Sequence, residues 1–162
     1  MPRYRWLGFA LLAGLLAALP VGSQPPSGGS PGKMKTPTAP RLVPIAETKL
    51  LMEGLNQPNF QGLEKILKNA EIDADSWTFA RGQALLIAET GNLLMMRPPR
   101  NSGQDAWMKS AGELRDAARG LAQTLATRNR ERSRSALTNL AATCNSCHQT
   151  FQVKTKVTAF AP

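Results

Sequence analysis

The stretch Leu137-Thr138-Asn139-Leu140-Ala141-Ala142-Thr143-Cys144-Asn145-Ser146-Cys147-His148-Gln149-Thr150-Phe151 decides how the chain is read. Leu137, Leu140, Cys144, Cys147, His148 and Phe151 recur three or four positions apart, which places them on one broad face of a helix. Inside that face, Cys144-Asn145-Ser146-Cys147-His148 holds both cysteines and the only histidine of the 162 residues. Cys-x-x-Cys-His is the attachment pattern of a c-type haem. Two thiols three positions apart can form thioethers to the two vinyl groups of one porphyrin. The adjoining imidazole is then held under the iron as its axial ligand. Two other uses of the same residue types were weighed. A structural zinc site takes four Cys or His ligands, and the chain has three. A thioredoxin-type Cys-x-x-Cys calls for a βαβ setting, and no strand-rich pattern flanks this one. The expected cofactor is one covalently attached haem c (iron) per chain, with Cys144, Cys147 and His148 binding it and His148 on the metal.

Working outward, the preceding segments carry the helical period. Trp107, Ala111, Leu114, Ala118, Leu121 and Leu125 alternate in steps of four and three, the narrow seam of a bundle helix, with Ser102 or Asn101 as its cap. A second helix spans about residues 75–96, capped by Asp73 or Asp75, with Trp77, Ala80, Ala84, Ala88 and Met95 inward and Pro98-Pro99 as its stop. The first covers about residues 46–68, with Met52, Leu55, Leu63, Ile66 and Ala70 on one face. Pro58 kinks or breaks it, because proline removes a backbone donor. Asn129 caps the last helix, and the chain frays beyond Lys154. The prediction is all-α: an antiparallel up-down-up-down four-helix bundle over residues 45–156, with a frayed tail at 157–162.

In front of the bundle, residues 24–44 hold Pro25, Pro26, Pro31, Pro37, Pro40 and Pro44 among Gly and Ser, a composition that buries no core and reads as a disordered linker. Residues 1–23 read as a secretory signal peptide. Arg3 and Arg5 precede an apolar run from Trp6 to Leu19, and Val21-Gly22-Ser23 supplies small residues at the cleavage spacing. An uncleaved anchor is the alternative; after cleavage no stable membrane span is expected. A periplasmic or otherwise exported location follows, which suits c-type haem attachment. Removing residues 1–23 takes away two arginines and no acid, so 18 basic against 11 acidic residues leave +7. A basic exported protein favours acidic partners or anionic surfaces. Nucleic acid is not expected, because the aromatic and basic interleaving of a single-strand binder is absent.

The bundle restricts the sixth position on the iron. The end of the last helix lies beside Met52, Met95, Met96, Trp107 and Met108, and with no second histidine methionine is the protein candidate. Met52 lies about as deep in its helix as His148 does in its own, which makes it the candidate second metal ligand. Gap-filling beside the porphyrin is its other reading. The basic cluster Arg128, Arg130, Arg132 and Arg134 falls at the far end of the bundle, about 27 Å from His148 at 1.5 Å per residue. It is read as a solvated helix start. Lys49, Lys154 and Lys156 are better placed to meet haem propionates or an acidic partner.

With these residues laid out, the chain resembles the cytochrome c′ family over about Ile45 to Lys156. Cys144 to Phe151 is similar to that family's haem segment, including the Phe three positions after the histidine. Gln152 stands where the family often has a basic residue. Leu50-Leu51-Met52-Glu53 is similar to the segment that faces the distal side of the iron. The resemblance implies a low-spin electron carrier where that position is Met, and a five-coordinate haem binding nitric oxide or carbon monoxide where it is apolar. It also implies a homodimer through the first two helices. An exported monohaem electron carrier with a redox partner protein, ligated by His148 and Met52, is the expected function. Gas binding is the alternative. An enzyme is not expected: peroxide cleavage wants a distal acid–base group, the sole histidine is taken, and Glu53 would serve only if turned inward.

Overall fold

Pro58 shapes the first helical stretch. Helix α1 (Thr48–Leu51) runs directly into a π-helical turn, Met52–Asn56, and then into α2 (Gln57–Lys68). Proline has no N–H to return to the preceding turn, and its ring crowds the carbonyl four residues back. The helix widens instead, with the Gln57 N–H reaching the Met52 carbonyl, while Asn59 Nδ2 donates to the Leu55 carbonyl at 2.6 Å. The break falls just before Pro58 and shifts the phase of the helix. Leu51, Phe60, Leu63 and Leu67 form the buried face. Of the predicted stripe, Met52, Leu55 and Ile66 are half-buried and Ala70 is exposed.

The computed structural model describes residues 41–160. The predicted signal peptide and nearly all of the linker lie outside them. Helix α3 (Ala74–Met95) starts where Asp73 accepts from the Ser76 N–H at 2.7 Å. That hydrogen bond holds the Asp73 carboxyl below its ordinary range. Helix α4 (Gln104–Ala126) departs from expectation at its start. Neither Ser102 nor Asn101 caps it; Gly103 does, at φ +79°, without a side-chain acceptor. The left-handed region suits glycine, which has no Cβ to clash. Helix α5 (Arg130–Thr150) is capped by Asn129, which accepts from the Arg132 N–H at 2.9 Å, as predicted.

The described residues are all helical, with no strand, and form a helical bundle. Each long helix packs against its neighbour in sequence, and α2 also meets α5. Leu63, Leu67, Ile87, Leu121, Leu125, Leu137 and Leu140 fill the centre. Two contacts fix which ends meet. Trp107, in the first turn of α4, donates from Nε1 to the Leu94 carbonyl near the end of α3 at 2.7 Å. Arg130 and Arg134, at the start of α5, donate to the Leu67 carbonyl at the end of α2 at 3.3 and 3.0 Å. These two members of the basic cluster are therefore not merely solvated: they satisfy carbonyls that the helix end leaves without partners. Among the described residues no helix is long and apolar enough to cross a membrane.

The tail corrects a further expectation. Fraying beyond Lys154 was predicted, but residues 153–160 fold back along the bundle. The Val153 N–H meets the His148 carbonyl at 2.8 Å and the Gln152 N–H the Gln149 carbonyl at 3.3 Å, with Gln152 at φ +56°. This is the paired helix-ending arrangement usually built on glycine, and it reverses the chain. The Phe160 N–H then donates to Glu64 Oε1 at 2.8 Å, and the Arg134 guanidinium lies 3.7 Å above the Phe160 ring. Polar anchors of this kind leave no signature in the periodicity of a sequence.

Candidate functional site

A cavity of about 660 Å³ opens at the end of the bundle where α5 finishes. Its apolar walls come from Phe60 of α2, Ile87 and Leu94 of α3, and Trp107 and Leu114 of α4. Met52, Cys144, Cys147 and His148, the four predicted site residues, all line it. They come from opposite ends of the sequence, and the helical packing brings them to one space. Met95 and Met108 do not line it; Met95 packs against the core and Met108 is exposed. Phe151 stands edge-on to Trp107, with ring centroids 5.1 Å apart at 75°.

The His148 ring is oriented by the returning tail. Its Nδ1 lies 2.7 Å from the Thr155 carbonyl oxygen. A carbonyl can only accept, so Nδ1 donates, and in the neutral ring that leaves the lone pair on Nε2. That is the arrangement in which metal-ligating histidines are held, one nitrogen fixed by a hydrogen bond and the other free to coordinate. Asn145 Nδ2 donates to the Val157 carbonyl at 2.7 Å, and the Val157 N–H donates back to Asn145 Oδ1 at 2.8 Å.

Met52 sits in the π-helical turn, and Asn56 Nδ2 lies 3.5 Å from its Sδ. Asn56 Oδ1 is buried without a partner, and the residue lines the same cavity. Lys49 and Lys156 line the cavity as well, whereas Lys154 does not. Glu53, which would serve as an acid–base group only if turned inward, borders this space. Its carboxylate is solvent-exposed and 3.7 Å from Lys49 Nζ. Glu64, absent from the sequence reading, also lines the cavity. It is engaged by Lys68 at 3.0 Å and by the Phe160 N–H.

Burial pushes the Cys144 thiol from 9.0 up to about 11, with Cys147 adding to the shift. Cys147 is also raised by burial, against a hydrogen bond with Ser110 that lowers it. Both thiols are neutral at pH 7. A raised acid favours the folded state below its ordinary pKa, and that contribution is lost as pH climbs from 9.0 towards 11. In a chain isolated before any group is attached, iodoacetamide should alkylate Cys144 at pH 8 about a hundredfold more slowly than an ordinary thiol, because thiolate is the reactive form. The rate should climb about tenfold per pH unit until near 11. A rate equal to that of an ordinary thiol at pH 8, levelling off near pH 9 and read by mass spectrometry, would contradict the burial of this sulfur.

The residues suit a flat, largely apolar, iron-bearing macrocycle. The cavity falls within the ~300–1,000 Å³ range of cofactor pockets. Cys144, Cys147, His148 and Met52, which carry two thiols, an imidazole and a thioether, all line it. Among the described residues no three Cys, His, Asp or Glu side chains converge as a metal cage, so the four-ligand zinc reading gains nothing from the geometry. Comparisons with family models, with curated proteins and with solved structures return no match for this chain.

Proposed function

We propose that this chain is an exported monohaem c-type cytochrome of the cytochrome c′ kind, an electron carrier folded as an antiparallel up-down-up-down four-helix bundle. The observation that carries the reading is the cavity that Cys144, Cys147, His148 and Met52 share, with His148 Nδ1 tied to Thr155 and Nε2 left free. The antiparallel order rests on the paired helix ends: α2 with the start of α5, and α3 with the start of α4.

A bound haem supplies a one-electron couple at iron. The chain does the rest. Cys144 and Cys147 would tether the group, and His148 through Nε2 and Met52 through Sδ would be the residues to hold its metal. Phe60, Ile87, Leu94, Trp107 and Leu114 keep water from the ring, and in a dry site charge is felt more strongly. Lys49 and Lys156 at the cavity suit propionates or an acidic redox partner. Peroxidase chemistry gains no support, since Glu64 is engaged as an anchor and Glu53 is paired with Lys49 at the surface.

A second reading is a five-coordinate haem that captures nitric oxide or carbon monoxide. What favours it is the Asn56 amide on Met52 Sδ, which draws on the sulfur's lone-pair density. The optical spectrum of the purified protein separates the two. Methionine ligation should give a low-spin spectrum with a sulfur-to-iron charge-transfer band. Met52→Ala should abolish that band, turn the ferric protein high-spin and open it to carbon monoxide in the ferrous state. A parent spectrum that is already high-spin and shifts at once with gas would remove Met52 as a ligand. A protein made with haem-attachment machinery that shows no haem spectrum would remove both readings.

A further inference from the structure

We infer that Asn145, the first residue between the two cysteines, is a positioning residue: its two hydrogen bonds to Val157 hold residues 153–158 as a strap along the cavity and set the Thr155 carbonyl to receive the His148 Nδ1 proton. Its consequence for iron rests on the haem reading above; the strap itself does not.

Three separate anchors converge on the strap. The paired ending of α5 reverses the chain at Gln152. Four residues past Val153, the Asn145 amide grips both backbone groups of Val157 at 2.7 and 2.8 Å. Beyond it, the Phe160 N–H is taken by Glu64 and the Phe160 ring by Arg134. Between the first two anchors lies Thr155, whose carbonyl is 2.7 Å from His148 Nδ1. Thr155 is exposed, and no hydrogen bond of its own backbone N–H or side chain to another of the described residues is seen. Its place is therefore dictated by its neighbours, Val153 on one side and Val157 on the other. Asn145 and His148 are three residues apart on α5, so a single helical turn carries both the ligand and the clamp that orients it.

A hydrogen bond from Nδ1 to a carbonyl makes the opposite nitrogen a better donor and fixes the plane of the ring. Without the clamp, the span between the anchors at Val153 and Phe160 would loosen, the Thr155 carbonyl would lose its fixed place, and water would compete for the Nδ1 proton. Stronger donation from Nε2 stabilises the oxidised metal, so loss of the clamp should raise the midpoint potential.

The test uses the full-length haem-loaded protein with Asn145→Ala, and with Ser146→Ala as the neighbouring change; Ser146 is exposed, and no hydrogen bond joins its side chain to another described residue. Hydrogen exchange of the Val157 amide and of the His148 Nδ1 proton is followed by NMR of the reduced protein. In Asn145→Ala both should exchange at least about tenfold faster, the loss expected from about 1.4 kcal/mol of hydrogen bonding. The midpoint potential should rise in parallel, and Ser146→Ala should change none of the three. A version ending at Lys154, which lacks Thr155 and Val157, should reproduce the Nδ1 exchange rate and the midpoint potential of Asn145→Ala. Unchanged exchange of the Nδ1 proton in Asn145→Ala would overturn the proposal, as would an equal effect from Ser146→Ala. If the chain carries no haem, the same two exchange rates still decide whether Asn145 holds the strap, while the haem reading alone falls.

Discussion

With Cys144 and Cys147 both changed to alanine, no haem should remain on the chain after denaturing electrophoresis, whereas either single variant should retain it through one remaining sulfur, in reduced yield. Only a covalent link survives unfolding, so the denaturing step separates thioether attachment from simple binding in the cavity. His148→Ala supplies the contrast. It should stay haem-positive on the denaturing gel and yet lose the low-spin spectrum, because tether and ligand are different residues. The double variant should also be less stable. Without the ring, the apolar walls of a cavity of about 660 Å³ would lose the packing partner that a haem would give them. The walls must therefore collapse inward or admit water around Phe60, Leu94 and Leu114. Even after that relief, a melting temperature lower by about 10 °C or more is expected, measured by circular dichroism. Haem retained by the double variant through denaturation would sink the thioether assignment.

How much of this was legible in the residues differs from element to element. Helix α4 declared itself, since Ala111, Leu114, Ala118, Leu121 and Leu125 keep strict steps of three and four and are all buried. The caps at Asp73 and Asn129 were also readable, because their side chains act on the backbone three residues on. The first helical stretch was half legible. Pro58 announced a break, but not that a wider turn at Met52–Asn56 would absorb it, and the one-residue change of phase hid Phe60 and Leu67 from the predicted face. Four site residues could be named from the Cys-x-x-Cys-His spacing and from helix depth, and the cavity gathers all four. The tail was not legible. Its order depends on Asn145, Glu64 and Arg134 meeting groups 12, 96 and 26 positions away in the chain, and each looks like an ordinary polar surface residue by itself.

Gly91 was passed over for the same reason, and a single methyl group there should do more damage than most core truncations. A Cβ at Gly91 would lie 2.8 Å from the Ala111 carbonyl oxygen, 2.8 Å from Arg115 Cβ and 2.9 Å from the Arg115 nitrogen. Two of those atoms are backbone of α4 and cannot rotate aside, so α3 and α4 would have to move apart. In an exposed helix interior, Gly→Ala gains about 1 kcal/mol from the unfolded chain's lost freedom and from helix propensity. Overpacking a tight contact costs about 1–3 kcal/mol and occasionally more, and fixed backbone puts this site at or above the upper end. Gly91→Ala should therefore be destabilised by about 2 kcal/mol in urea titration. Gly82→Ala, on the same helix with nothing within 4 Å of the added carbon, should be stabilised by up to about 1 kcal/mol. The opposite signs isolate helix contact from helix propensity, since the chemical change is identical. Trp107 and Ser110 of α4 and Leu94 of α3 border the cavity, so a wedge between the two helices should also disturb the spectrum of the haem-loaded protein. Stabilisation by Gly91→Ala equal to that of Gly82→Ala would mean that α3 and α4 lie farther apart than these contacts require.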